Sequence, residues 1–160
     1  VSVVRTKVRF YALLAAGATL LSACAGKAIT EPAPEADDPV CAEMILGAPT
    51  ELGGFETLKT TAQATTAWGD DPMEAIVLRC GVEELEPTTD ECIGVEANRG
   101  EDDVDWVISN EEDQWVFTTY GRVPGLELQV PHAFPGDQPT ALLSDLSRIA
   151  NLGESVRTCL

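Results

Sequence analysis

Ala75-Ile76-Val77-Leu78-Arg79-Cys80-Gly81-Val82 is the most strand-like stretch of the 160-residue chain. Aliphatic and β-branched residues fill it, and the turn sequence Gly69-Asp70-Asp71-Pro72 precedes it. Alternation assigns Ile76, Leu78 and Cys80 to one face and Val77 to the other. Working outward, a second strand is predicted over residues 92–96. Residues 104–109 and 114–120 form a hairpin about the turn at 110–113, and Leu126-Glu127-Leu128-Gln129-Val130 alternates cleanly. Asp38-Pro39 is a helix start, with an Asp cap and Pro at the first helical position. Cys41, Met44, Ile45 and Ala48 then make an apolar stripe that Pro49 ends. A second helix over 139–150, capped by Asp137, lines up Leu142, Leu143, Leu146, Ile149 and Ala150. Gly53-Gly54 makes a turn, residues 57–67 read as loop or weak strand, and 151–160 as irregular. Helix, hairpin-linked strands and helix imply an α+β fold: an antiparallel sheet of about five or six strands covered by two helices.

The amino-terminal part has a different logic. Arg5, Lys7 and Arg9 precede an apolar run over 11–21, which closes on Leu21-Ser22-Ala23-Cys24. This is a secretory signal ending in a lipobox, with cleavage before Cys24 and acylation of its thiol. The run is too short for a spanning helix, which needs about 20 apolar residues. Residues 1–23 are therefore read as signal peptide, 24–39 as an acylated start and a solvated tether carrying Pro32, Pro34 and Pro39, and 40–160 as one globular domain.

Without the signal, seven of the ten Lys/Arg remain against all 27 Asp/Glu, a formal charge of −20. That excludes nucleic acid, whose phosphates demand a basic surface, and leaves the lipid as the expected attachment to the membrane. Disorder throughout is excluded by the 44% hydrophobic content, with three Trp and four Phe available for a core.

Once Cys24 is assigned to lipidation, Cys41, Cys80, Cys92 and Cys159 remain. None of the four are close enough for a C-x-x-C metal site, so two disulfides are expected. Cys41 on the buried helical stripe and Cys80 on the inward strand face meet at one interface, which pairs Cys41 with Cys80 and Cys92 with Cys159. The competing arrangement joins Cys80 to Cys92 and Cys41 to Cys159.

No catalytic constellation stands out. His132 is the only histidine and reads as a surface turn residue. Ser109, Ser144, Ser147 and Ser155 lack a nucleophile-elbow setting, and no motif calls for a cofactor. Asp102, Asp103 and Asp105, beside Glu101 and opposite Glu111, Glu112 and Asp113 of the hairpin, are weak cation candidates without calcium-loop spacing. They read first as a solvated acidic edge. Trp68, Trp106 and Trp115 read as core, and Arg79 and Arg122 as partners of carboxylates.

Together, the lipobox, Cys41, Ala67-Trp68-Gly69 with Ile76-Val77-Leu78-Arg79-Cys80-Gly81-Val82, Val104-Asp105-Trp106, Phe117-Thr118-Thr119 with Gly121-Arg122, and Val130-Pro131 resemble the actinobacterial lipoproteins of domain of unknown function family 3515. The extra acidic residues 101–103 depart from that pattern. The resemblance implies an exported lipoprotein with no catalytic residues to transfer. The expectation is a lipid-anchored protein on the outer face of the bacterial cytoplasmic membrane, a non-enzymatic binding or scaffolding module for an envelope protein or cell-wall partner. The alternative is a carboxylate-based divalent-cation or small-ligand binding protein or enzyme.

Overall fold

The computed structural model of the protein describes residues 26–97, 102–136 and 138–159. Helix α1 (Pro39–Leu46) leads to the short strands β1 (Glu51–Leu52), β2 (Phe55–Leu58) and β3 (Thr65–Trp68). Then come β4 (Ile76–Val82), β5 (Cys92–Val95), β6 (Val104–Asn110), β7 (Gln114–Thr119), β8 (Arg122–Val123) and β9 (Gly125–Pro131). A 3-10 turn (Pro139–Leu142), α2 (Leu143–Ala150) and β10 (Glu154–Ser155) complete the chain. Eight strands make one antiparallel sheet in the order β1-β2-β3-β4-β9-β7-β6-β5, and β8 pairs separately with β10. The chain leaves β4 for the far edge, builds inward through β5, β6 and β7, and closes the sheet with β9 against β4.

Alternation sorts the two faces. Ile76, Leu78 and Cys80 join Trp68, Trp106, Phe117, Leu126 and Leu128 in a core completed by Cys41 and Met44 of α1 and by Leu143, Leu146 and Ile149 of α2. Each fully buried Leu or Ile there stabilises by roughly 1.5–3 kcal/mol. Asp38 caps α1 by accepting the Val40 N–H at 2.8 Å, and Gly47 ends it. Two disulfides cross the layers. Cys41–Cys80 joins α1 to β4 with Cα atoms 5.4 Å apart, and Cys92–Cys159 joins β5 to the carboxyl-terminal tail with Cα atoms 6.5 Å apart. Met44 Sδ lies 3.4 Å from Cys80 Sγ, a packing contact because a disulfide sulfur carries no hydrogen.

Four local expectations need correction. The sheet is larger than five or six strands because residues 57–67, read as loop or weak strand, contain parts of β2 and β3. Thr57, Thr65 and Thr66 are β-branched and pair in register with neighbouring strands. The second helix opens with a 3-10 turn, in which Gln138 makes no side-chain cap. Asp137, the expected cap, lies outside the described residues. The tail is not irregular: β10 pairs with β8, Val156 N–H donates to Gly121 O at 2.9 Å, and Arg157 reaches Glu84 at 2.9 Å.

The fourth correction concerns the expected solvated tether. Ala28 bridges to Thr60, Thr30 hydrogen-bonds Thr61 and Thr65, and Glu35 N–H donates to Gly81 O at 2.8 Å. Ala28, Ala33 and Ala36 are buried, with Ala28 packed beside Ala67 and Ala75 on the sheet face opposite the core. Small alanines let this proline-rich stretch of chain lie on the fold, so residues 28–36 belong to the domain, which does not start at residue 40.

Candidate functional site

Helix α1 carries more apolar surface than the core uses. Its eight residues, PVCAEMIL, include a single charge, and only Cys41 and Met44 are buried. Asp38 and Pro39 fix where the helix starts, so Ala42 and Leu46 are left exposed toward the docked segment and residues 63–64, while Ile45, half-buried, packs against the edge of the core. These three residues line an open groove of about 560 Å³ with Ala36, Pro39 and Ala64, and Asp37, Asp38 and Gln63 are its polar lining. Leu46 is 87% exposed, the most exposed large hydrophobic residue among those described. Sequence periodicity places Ile45 on the buried stripe, and it does pack half-buried against the core, with its remaining surface forming part of the groove wall. The signal for the groove was Leu46 itself, an aliphatic residue off the stripe on a helix with one charge.

The acidic residues do not converge. Asp102 and Asp103 precede β6, while Glu111, Glu112 and Asp113 follow it. The seven residues of β6 therefore hold the two groups about 20 Å apart. Asp103 Oδ1 accepts the Ala97 N–H at 3.2 Å, and Asp105 Oδ2 accepts the Cys159 N–H at 2.8 Å. Among the described residues, the one cluster of three metal-type side chains is Cys92, Asp105 and Cys159. Its two sulfurs are bonded to each other, leaving one carboxylate already engaged by backbone. Glu101 lies outside the described residues, as does Cys24.

The other singled-out residues are distributed over the fold. His132 is exposed on a turn, with Nε2 3.0 Å from Asn110 Oδ1 and its ring edge-on to Trp115 at 5.5 Å. Trp68 and Trp106 are fully buried, and Trp68 Nε1 donates to Pro49 O at 2.8 Å. A pocket of about 180 Å³ lies between Phe55, Phe134, Asp70 and Glu74. That is below the roughly 300–1,000 Å³ of a typical small-molecule site. Arg79 pairs across strands with Glu127 Oε1, through Nε at 3.0 Å and Nη2 at 2.6 Å. Arg122 departs from the expected carboxylate pairing. It is 5% exposed and donates to the carbonyls of Gly153 at 3.4 Å and Asp103 at 3.1 Å. The two arginines do not meet, and neither lines the groove.

Among the described residues, no helix is long and apolar enough to cross a membrane. A family model described as Protein of unknown function (DUF3515) matches residues 4–153, nearly the whole chain. No curated protein and no solved structure matches it.

Proposed function

The chain belongs to the DUF3515 family, which assigns it no activity, and we propose from its own residues that it is an exported lipoprotein held by acylated Cys24 at the outer face of the bacterial cytoplasmic membrane. There it works as a non-enzymatic binding module. The lipobox Leu21-Ser22-Ala23-Cys24 carries the anchoring. Two disulfides support an oxidising compartment, where such bonds persist. The α1 groove supports the binding role. Its lining, apolar except for Asp37, Asp38 and Gln63, suits an amphipathic segment of a protein partner better than a cell-wall glycan, which needs more polar groups to recognise its hydroxyls.

A photo-crosslinking residue at Leu46, expressed in a host that lipidates such signals, tests both halves. Mass spectrometry of the mature amino terminus is expected to show diacylglyceryl on Cys24. Leu46 is expected to give a discrete protein adduct that Ala42→Glu removes. A free Cys24 on cleaved protein would sink the anchoring. Adducts at Leu46 that are diffuse and indifferent to Ala42→Glu would sink the binding groove.

A further inference from the structure

The chain after Cys24 has almost no slack. The Ala28 N–H donates to Lys59 O at 2.9 Å, and the Ala28 carbonyl accepts the Thr61 N–H at 3.1 Å. Ala28 itself is buried against Ala67 and Ala75. From Cys24 to this fixed point there are four peptide units, which reach at most about 14 Å fully extended. Acyl chains on Cys24 have to enter the bilayer, so the surface around Ala28 is held within that distance of the headgroups.

What surrounds Ala28 fits such a position. Ile29 is 77% exposed while its neighbour Ala28 faces the sheet. Gly26 lies against Pro72, where an added Cβ would stand 3.4 Å from the proline Cγ. Next to Pro72 is Met73, 78% exposed. Lys27 and Lys59 are the only lysines after Cys24, and among the described residues neither enters an ion pair. The described arginines are committed elsewhere: Arg79 to Glu127, Arg157 to Glu84, Arg122 and Arg148 to backbone carbonyls. Asp70, Asp71 and Glu74 flank Met73, and the two lysines offset part of their charge where headgroup phosphates would be near.

The geometry points to a membrane-seated rim in which Ile29 and Met73 enter the headgroup layer of a phospholipid bilayer while Lys27 and Lys59 meet its phosphates. The domain is thereby held in one orientation and does not swing on a long leash. This rests on the anchoring of Cys24. Apolar side chains seated at the interface and lysines snorkelling beside them are the usual components of such contacts. The carboxylates keep the insertion shallow.

Val156 supplies a control. It is exposed and apolar, and it hydrogen-bonds through its N–H to Gly121, just past the end of β7 remote from the β4 entry where Met73 lies. Those strand ends are about 20 Å apart. The lipidated full chain, reconstituted in vesicles of phosphatidylethanolamine and phosphatidylglycerol, would carry a photo-crosslinking residue at 29, 73 or 156. Phospholipid adducts are expected at 29 and 73 and none at 156. Adducts at 29 and 73 no more frequent than at 156 would overturn the oriented rim. Mass spectrometry of the amino terminus separates the two failures. With diacylglyceryl present and the adducts missing, only the orientation falls, whereas unmodified Cys24 removes the anchoring and the rim together.

Discussion

Arg79 and Arg122 show how one side chain serves two electrostatic purposes. Arg79 sits on the outer face of the sheet, where Glu127 shares its charge and the pair keeps 22% and 14% of side-chain exposure. Water still screens part of that attraction, and such pairs contribute about 1 kcal/mol or less. Arg122 lies buried between the tail and the start of β6, and it ties together two segments far apart in sequence through their carbonyls. Hydrogen bonds from a charged donor are worth about 1.5–3 kcal/mol, and removing the donor leaves buried carbonyls without partners. Arg122→Met is therefore expected to lower stability by about 2–3 kcal/mol and Arg79→Met by about 1 kcal/mol or less. Urea midpoints would check this, and equal losses would show that the buried arginine does no more than the surface one. Composition predicted carboxylate partners for both. It cannot reveal a carbonyl partner, because every residue offers that group.

At the scale of elements, the docked amino-terminal segment is held at its start by the backbone bonds of Ala28 and the Thr30 hydrogen bonds, and further on by one backbone position. Gly81 has φ +91°, at a register shift between Cys80 and Val82 in β4, and its carbonyl accepts the Glu35 N–H. A Cβ at Gly81 would run into the Glu35 backbone. Gly81→Ala thus meets a left-handed backbone and a collision together, at a cost of about 2–3 kcal/mol. The expected outcome is release of residues 33–36, read as faster hydrogen exchange and new protease cleavage there while the α2 helix stays protected. Unchanged exchange would mean that the alanines hold the segment without this contact. Strands β4, β6, β7 and β9 were legible because their hydrophobic alternation extends over five or more residues. Strands β1 to β3 and the docked segment were not. The strands are only two to four residues long, too short for alternation to show, and the segment's partners lie in the third dimension: Ala28 has no meaning as a core residue until the small residues Ala67 and Ala75 are seen beside it. Of the groove, only Leu46, an aliphatic residue off the stripe, showed in the sequence, since periodicity reports which residues face a core and not which remain uncovered.

For the whole molecule, the two disulfides divide into one locked inside the core and one strapped across its rim. Cys41 and Cys80 are fully buried beside Met44, whereas Cys92 and Cys159 are half-buried on the open edge strand and the tail. Loop lengths of 39 and 67 residues give almost the same stabilisation in the chain-entropy model, about 4 kcal/mol each, so entropy does not distinguish them. Access does. An attacking thiolate must reach a sulfur atom, and in the folded protein it can approach only the rim bond. Mild thiol reductant under native conditions is therefore expected to open Cys92–Cys159 first, so that alkylation labels those two cysteines while Cys41 and Cys80 remain joined until denaturant is added. Opening the rim bond loosens the tail, and the Cys159 N–H to Asp105 contact and the Arg157–Glu84 pair should weaken with it. The sheet and both helices keep their signal in circular dichroism, because the core they share contains neither Cys92 nor Cys159. Simultaneous labelling of all four cysteines without denaturant would show that the core opens as readily as its edge, contrary to the burial of the Cys41–Cys80 bond.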